Sequence, residues 1–526
     1  MVPSYTRRVM HFVIGSGPAG VSCAAALLAR GEEVTMLDAG ITLEPAAQAA
    51  LDAMGGQERT DWDTDVLADW RRMEAGSGVP RKLSYGSGFA YRRAGEFPPL
   101  RAERADFSPS FALGGLSNVW GAAVLPYRQD DMDAWPIRRD ALAPYYARVL
   151  ELMPFAAQID GLSAAFPLYT DRFLAHDASS QAERLLSALE RHQDGLARDG
   201  ITFGRARLAV RSRSDSGPDC VYCGMCMFGC PYGLIYNSAQ TLGELRRDRN
   251  FRYIGGQVVE RVEESAEGVV IHARPLEGGG ATTYEATRVF LGCGPIPTTE
   301  ILMESLGIDE RIIRDSQYFL APLLQLRGSG AVTEDLHTLA QLFIEVNDPG
   351  VSERTVHLQI YTYNEFYEGE LRRRFGRFYP LIPSGAILSR MLVLQGFLHS
   401  DDSVRVRIRR KDGELHLKAG GDRRARRVIG RVMRKLMRNA ARLGVAPLLP
   451  LLNIEAPGKS FHSGGTFPMR ARPGPGECDT LGRPYGLKRV HAIDSTTFPS
   501  IPATTITLSI MANAYRIGCE YDRTDA

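Results

Sequence analysis

The chain begins its regular patterning with a short apolar run, residues 10–14 (MHFVI), that enters a glycine-rich turn. A small-residue stretch, 18–30 (PAGVSCAAALLAR), and a second apolar run, 33–38 (EVTMLD), follow. That order predicts strand, helix and strand in one β-α-β unit. Residues 256–274 and 284–294 read as further strands, the last closed by Gly292 and Gly294. In 423–443, Val428, Ile429, Val432, Met433, Leu436 and Met437 step by four, which predicts an amphipathic helix. Between 313 and 410, alternating patches such as VHLQIYTY predict an antiparallel sheet. Pieces of one α/β domain thus stand at both ends, with an α+β insertion between them. The expected division is 1–135, 205–312 and 455–526 for the first domain, and 136–204 and 313–454 for the second.

A length of 526 residues exceeds one simple core and agrees with two or three domains. Hydrophobic residues at 44% and charged residues at 24% are ordinary for a folded enzyme and exclude a largely disordered chain. A formal net charge of +2 names no global electrostatic partner, and nucleic acid is not expected. The N-terminal segment lacks the apolar region and cleavage site of a signal peptide, and no apolar stretch reaches about 18 residues. A cytoplasmic protein without a transmembrane segment is expected.

Gly15-Ser16-Gly17-Pro18-Ala19-Gly20 is a G-x-G-x-x-G turn between a strand and a helix, the context its chemistry requires. Gly15 permits the tight turn, Gly17 lets a pyrophosphate approach the backbone, and Gly20 lets helix and strand pack closely. The helix N-terminus offers N–H donors to the phosphates. Asp38, at the end of the second strand, is placed for ribose hydroxyls. A Rossmann-type domain follows, but the turn alone does not separate FAD from NAD.

Of eight cysteines, Cys220, Cys223, Cys226 and Cys230 crowd into eleven positions, with Pro231 next. Their spacing reproduces the bacterial ferredoxin run. One reading is an iron–sulfur cluster, 3Fe-4S or 4Fe-4S. The others are a structural loop packed beside the nucleotide domain and a four-cysteine zinc site, although zinc usually takes two separated pairs.

Six ordered segments resemble the GMC (glucose–methanol–choline) oxidoreductase family. They are the dinucleotide turn, Gly114–Gly121 (GGLSNVWG), the WPI stretch at 135–137 with Leu142 and Pro144-Tyr145-Tyr146, residues 291–303 (LGCGPIPTTEILM), 459–469 (KSFHSGGTFPM) and 492–516. The middle, about 313–454, matches poorly, and there the family carries its substrate domain. The resemblance implies FAD. It assigns Gly114, Gly115, Ser117, Asn118, Trp120 and Gly121 to the flavin loop, and Val259, Gly292, Asp494 and Thr504 to the cofactor surroundings. It places His462 where the family carries its catalytic base. Histidine suits that task, being neutral near pH 7. Gly464 and Gly465 would let the segment approach the flavin edge. The family's second His or Asn is replaced by Thr505, a hydroxyl that can hydrogen-bond substrate but cannot titrate near neutral pH. Some sugar dehydrogenases of the family carry an iron–sulfur cluster in the catalytic subunit, which is similar to the cysteine run here.

Between Arg405 and Arg442 stand fifteen Lys or Arg against three acids. A solvated helix face is one reading, and a site for an anionic sugar or an acidic redox partner is the other. Tyr361, Tyr363, Phe366, Tyr367 and Phe375 are either a sugar-stacking wall or core. The leading expectation is an FAD-dependent dehydrogenase that oxidises a CH–OH group of an alcohol, sugar or polyol, with a small-molecule substrate and an external electron acceptor. An oxygen-using oxidase, a photodecarboxylase-like lyase and an electron-transfer flavoprotein are the alternatives.

Overall fold

The computed structural model describes residues 10–72, 81–213, 218–328, 336–362, 372, 375–381 and 389–522. The opening β-α-β unit forms as expected, as strands His11–Ile14 and Val34–Leu37 around helix Pro18–Ala29. These strands lie in a parallel sheet of order Val490–Ala492, Arg288–Leu291, His11–Ile14, Val34–Leu37, Phe251–Ile254. His11–Ile14 is buried along its whole length, as a central parallel strand must be. Helices Pro18–Ala29 and Thr507–Glu520 pack together over one face. Helix Pro295–Leu306 and the antiparallel strands Gln257–Glu264 and Val269–Pro275 form the core over the other.

The carboxyl ends of four of these strands deliver the polar residues of the site. His11–Ile14 leads into Gly15, Val34–Leu37 into Asp38, Arg288–Leu291 into Gly292, and Val490–Ala492 into Asp494. This is where open α/β sheets place their ligands.

The expected antiparallel sheet is also present. Strands Val445–Pro447, Tyr318–Gln325, Met391–Phe397, Val356–Thr362, Leu342–Val346 and Ile201–Arg205 follow one another, all antiparallel. Alternation sorts their side chains. Leu358, Ile360, Leu392 and Leu394 face helices Ser180–Arg191 and Arg423–Arg438. Tyr361, Val393, Phe397 and Tyr318 face the opposite core. Strands Arg405–Lys411 and Glu414–Ala419 instead join Glu310–Asp315 and Leu100–Glu103 in a separate sheet over the nucleotide-side core. Alternation marks a strand without saying which sheet it enters, so the expected grouping of 313–454 did not separate them. No described helix is long and apolar enough to cross a membrane.

Candidate active site

A cavity of about 390 Å³ opens between the parallel sheet and the antiparallel one. Gly15, Gly17, Pro18, Ala19, Asp38, Gly115, Ser117, Trp120, Gly121, Val259, Gly292, Asp494, His462 and Thr505 all line it. Gly20, Gly114, Asn118 and Thr504 do not border it, and the first three shape its walls. A Cβ on Gly20 would stand 1.8 Å from the Gly15 carbonyl oxygen, so only glycine allows the first helical turn to close on the strand end. Asn118 donates to the carbonyls of Leu113 (2.9 Å) and Gly115 (2.8 Å), tying down the loop from within. Thr504 is buried, and its Oγ1 has no partner among the described residues.

Ser16 joins three parts of the cofactor side. Its hydroxyl donates to Asp38 Oδ2 (2.5 Å) and accepts the Gly114 N–H (2.9 Å). Tyr253 also donates to Asp38 (3.2 Å). Burial pushes the Asp38 carboxyl up to about 6, against the pull of these hydrogen bonds. The two glycine loops nearly touch, since a Cβ on Gly115 would lie 3.5 Å from Gly17 Cα. This cradle is made of backbone, which suits a pyrophosphate bound through N–H groups.

Asp494 pins the closing motif to the turn after the Arg288–Leu291 strand. Its carboxylate accepts from Gly294 N (2.9 Å), Thr298 Oγ1 (2.6 Å) and Thr496 N (2.9 Å). With three donors already supplied by the protein, it acts on the shape of the cavity.

His462 precedes the short strand Ser463–Gly464, which pairs with Arg314–Asp315. Its carbonyl accepts from Ser316 N (2.9 Å). Its ring stacks on Phe397, with centroids 5.0 Å apart and planes at 26°. Its Nδ1 is buried and has no hydrogen-bond partner among the described residues. Burial pushes the imidazolium down to about 3, so the ring is neutral. Gly464 packs directly against the closing motif. A Cβ there would stand 2.1 Å from the Ser495 carbonyl oxygen, so this glycine lets the histidine segment lie on the closing motif. Thr505 Oγ1 accepts the Leu125 N–H (2.7 Å), which leaves its own proton to donate into the cavity.

The far wall is formed by Tyr318, Gln359, Tyr361, Gln395 and Phe397. Of these the sequence reading named only Tyr361. Phe375 lies outside the cavity lining, and Tyr363, Phe366 and Tyr367 lie outside the described residues. The signal for Gln359 was the period-two pattern of Val356–Thr362, where Gln359 and Tyr361 share a face.

The cysteine run is the segment for which a cluster, a zinc site and a packed loop were open. Among the described residues, no three His, Cys, Asp or Glu side chains gather so as to hold a metal ion. The loop packs instead. Met225, Met227 and Phe228 enter the core, and Cys230 Sγ accepts the Leu234 N–H (3.4 Å). Burial pushes the thiols of Cys220, Cys223 and Cys230 up to about 12, 11 and 12. The side chains around these thiols are those of a packed loop.

The basic helix Arg423–Arg438 lies on the face of the antiparallel sheet opposite the cavity, and none of its charges borders it. Arg424 pairs with Asp402 (2.8 Å), Arg426 with Asp422 (2.6 Å) and Lys435 with Asp348. Its buried residues, Ala425, Val428, Ile429, Val432, Met433 and Leu436, explain the periodicity, and the charges are its outer face.

Two family models described as GMC oxidoreductase match the chain, one over residues 91–315 and the other over 401–514. They leave out 316–400, which holds most of the antiparallel sheet and the far wall of the cavity. A search of curated proteins found no match. Among solved structures, pyridoxine 4-oxidase from Mesorbium loti is similar, with a TM-score of 0.60 and 16% sequence identity, over 98% of this chain and 100% of that one. That likeness concerns the fold. Together the two family matches span more than half of the chain, in the order expected of a single protein, and the chain belongs to the GMC oxidoreductase family.

Proposed function

We propose that this protein is an FAD-dependent enzyme in which His462 takes the hydroxyl proton of a carbinol while its hydride leaves for the flavin. When bound, FAD supplies the hydride acceptor. The glycine turns at Gly15–Gly20 and Gly114–Gly121 would hold its phosphates, and Asp38 would meet its ribose. Asp494 would keep the closing motif against it.

The observation that carries this reading is the placement of His462. A neutral imidazole whose Nδ1 has no partner among the described residues borders the cavity shared by the dinucleotide turn and the substrate-facing sheet. A general base must be unprotonated before it can act, and burial secures that. Thr505 faces the same cavity and would donate to the substrate oxygen. Phe397 fixes the plane of the His462 ring, so the lone pair is already oriented when substrate arrives.

The proposed division assigns substrate contacts to the sheet built from Tyr318–Gln325, Leu342–Val346, Val356–Thr362 and Met391–Phe397. Cofactor contacts fall to the parallel sheet and its loops. The substrate is a small alcohol, sugar or polyol. The basic helix does not reach the cavity, so it gives no support to an anionic substrate. The cavity that would hold the flavin would also admit a small oxidant such as oxygen.

Acid release of flavin from purified protein, followed by anaerobic bleaching of the holoenzyme with an alcohol panel, tests this reading. FAD release and bleaching by at least one carbinol are expected. A folded protein that yields no FAD, or a flavin that no alcohol bleaches, contradicts it. Turnover in air against turnover with an artificial acceptor separates oxidase from dehydrogenase.

A further inference from the structure

Two polar side chains, Glu345 and His357, are fully buried in the substrate-facing sheet and belong to no step described so far. Neither borders the cavity. They lie directly opposite one another in antiparallel register, and His357 Nδ1 is 2.6 Å from Glu345 Oε1. Two residues further along the strand, on the same face, Gln359 Nε2 lies 3.1 Å from His357 Nε2. Tyr361 donates its hydroxyl proton to Gln359 Oε1 (2.9 Å). Gln359 and Tyr361 both line the cavity, across from the flavin-side glycines.

The directions of these bonds can be assigned. An amide nitrogen only donates, so His357 Nε2 must be the bare acceptor. The His357 proton is then on Nδ1, where it is donated to the Glu345 carboxylate. In this orientation of Gln359, Tyr361 donates into the amide oxygen. The chain therefore runs one way, from Tyr361 through Gln359 and His357 to Glu345, and each member fixes the next. One N–H and one carbonyl lone pair of Gln359 remain without a partner among the described residues.

From this chain we infer that Glu345 and His357 are positioning residues that lock the amide of Gln359, making Gln359 the specificity-determining group for a second hydroxyl on the substrate. The inference rests on the proposed alcohol oxidation at His462. A locked amide presents a donor and an acceptor side by side. A neutral hydroxyl, which is itself donor and acceptor, matches that pair, whereas a plain alkyl group would leave both unsatisfied. Sites built to hydrogen-bond a polar group discriminate strongly against analogues that lack it. An amide free to turn would have to be ordered each time the hydroxyl bound, and the preference would weaken. The Glu345–His357 pair prevents this by fixing the tautomer of His357. His357 does not serve as a second base, because Gln359 separates it from the cavity.

The test uses the FAD-loaded enzyme and anaerobic flavin bleaching with matched alcohols that have or lack one additional hydroxyl. Wild-type enzyme is expected to saturate at lower concentration with the dihydroxy member of each pair. Gln359→Leu should weaken that preference by about tenfold or more, the effect of leaving one buried polar partner unmet. The limiting bleaching rate should change much less than the half-saturation concentration. Glu345→Gln, which frees the tautomer of His357, should erode the preference in the same direction. It should add nothing in the Gln359→Leu background, because coupled residues are not additive. An unchanged preference in Gln359→Leu, or equal effects of Glu345→Gln with and without Gln359, overturns the inference while leaving alcohol oxidation intact. Absence of bleaching by every alcohol removes both, and is told apart by that outcome.

Discussion

The two walls of the cavity are built on different principles. On the cofactor side, backbone makes the contacts: glycine turns meet almost Cα to Cα, and polar side chains such as Ser16 and Asp494 brace one loop against another. On the side of the antiparallel sheet, the backbone is consumed by the sheet ladder, and side chains of alternate residues make the wall. A backbone site tolerates almost no added atom. A side-chain site can lose one hydrogen bond and still function at reduced rate. Substitutions on the first wall should therefore act on assembly as a whole, and those on the second should act by degrees.

Gly20→Ala gives the largest expected effect. Its Cβ would meet a backbone carbonyl oxygen that cannot move without opening the strand end. The variant should purify without flavin, read as loss of the visible flavin absorbance per mole of protein. Normal FAD content would refute the claim that the cradle is a backbone contact.

Thr505→Val probes a single side-chain contact. It removes the hydroxyl that accepts from Leu125 N and faces the cavity, at nearly constant shape. FAD should stay bound while flavin reduction slows about tenfold, the usual scale for one lost hydrogen bond to a reacting group. Loss of FAD in this variant would erase the distinction between backbone and side-chain contacts.

The pH profile offers a subtler test. His462 titrates at about 3 in the folded protein against 6.5 ordinarily, so it stays neutral throughout mild acid. Flavin reduction should be flat from about pH 5 to pH 8, instead of falling below 6.5 as it would for an unperturbed histidine. The sign for stability is the reverse of that for a salt-bridged histidine. The unfolded chain takes up this proton first, so the contribution is intact above about 6.5 and declines as pH drops toward 3. A reduction rate that halves near pH 6.5 would contradict the burial argument.

Cys223→Ser should have the smallest effect. In a packed loop it changes one half-buried atom, so FAD content and turnover should stay within about twofold, as for most substitutions away from a special feature. Iron and acid-labile sulfide in anaerobically prepared wild-type protein would overturn the packed-loop assignment.

The contrast between the walls also explains what could be read from the amino-acid order. Glycine spacing after an apolar strand is a local pattern, so Gly15, Gly17, Gly20 and the Gly114–Gly121 loop were legible, and Asp38 with them. His462 was legible through its neighbours. Gln359, Gln395 and the Glu345–His357 pair were not, because each depends on strand register between segments far apart in the chain. Alternation indicates which residues share a face but leaves open which face meets the cavity. The cysteine run shows the converse: a spacing suited to ligation is also what a tight loop with Tyr222, Gly224 and Gly229 at positive φ produces. In the basic segment, charge density was evident, but its direction was fixed only by the apolar stripe beneath it.

The central claim is that His462 takes the proton as the carbinol hydride leaves for FAD. The most direct test is anaerobic rapid mixing of wild-type and His462→Ala holoenzymes with the best alcohol of the panel, unlabelled and deuterated at the carbinol carbon. The account predicts unchanged FAD content, reduction slowed by roughly a hundredfold to ten-thousandfold in the variant, and slower wild-type reduction with the deuterated alcohol. Wild-type rates in His462→Ala, or no response to deuteration in either enzyme under conditions where chemistry limits the rate, would contradict it.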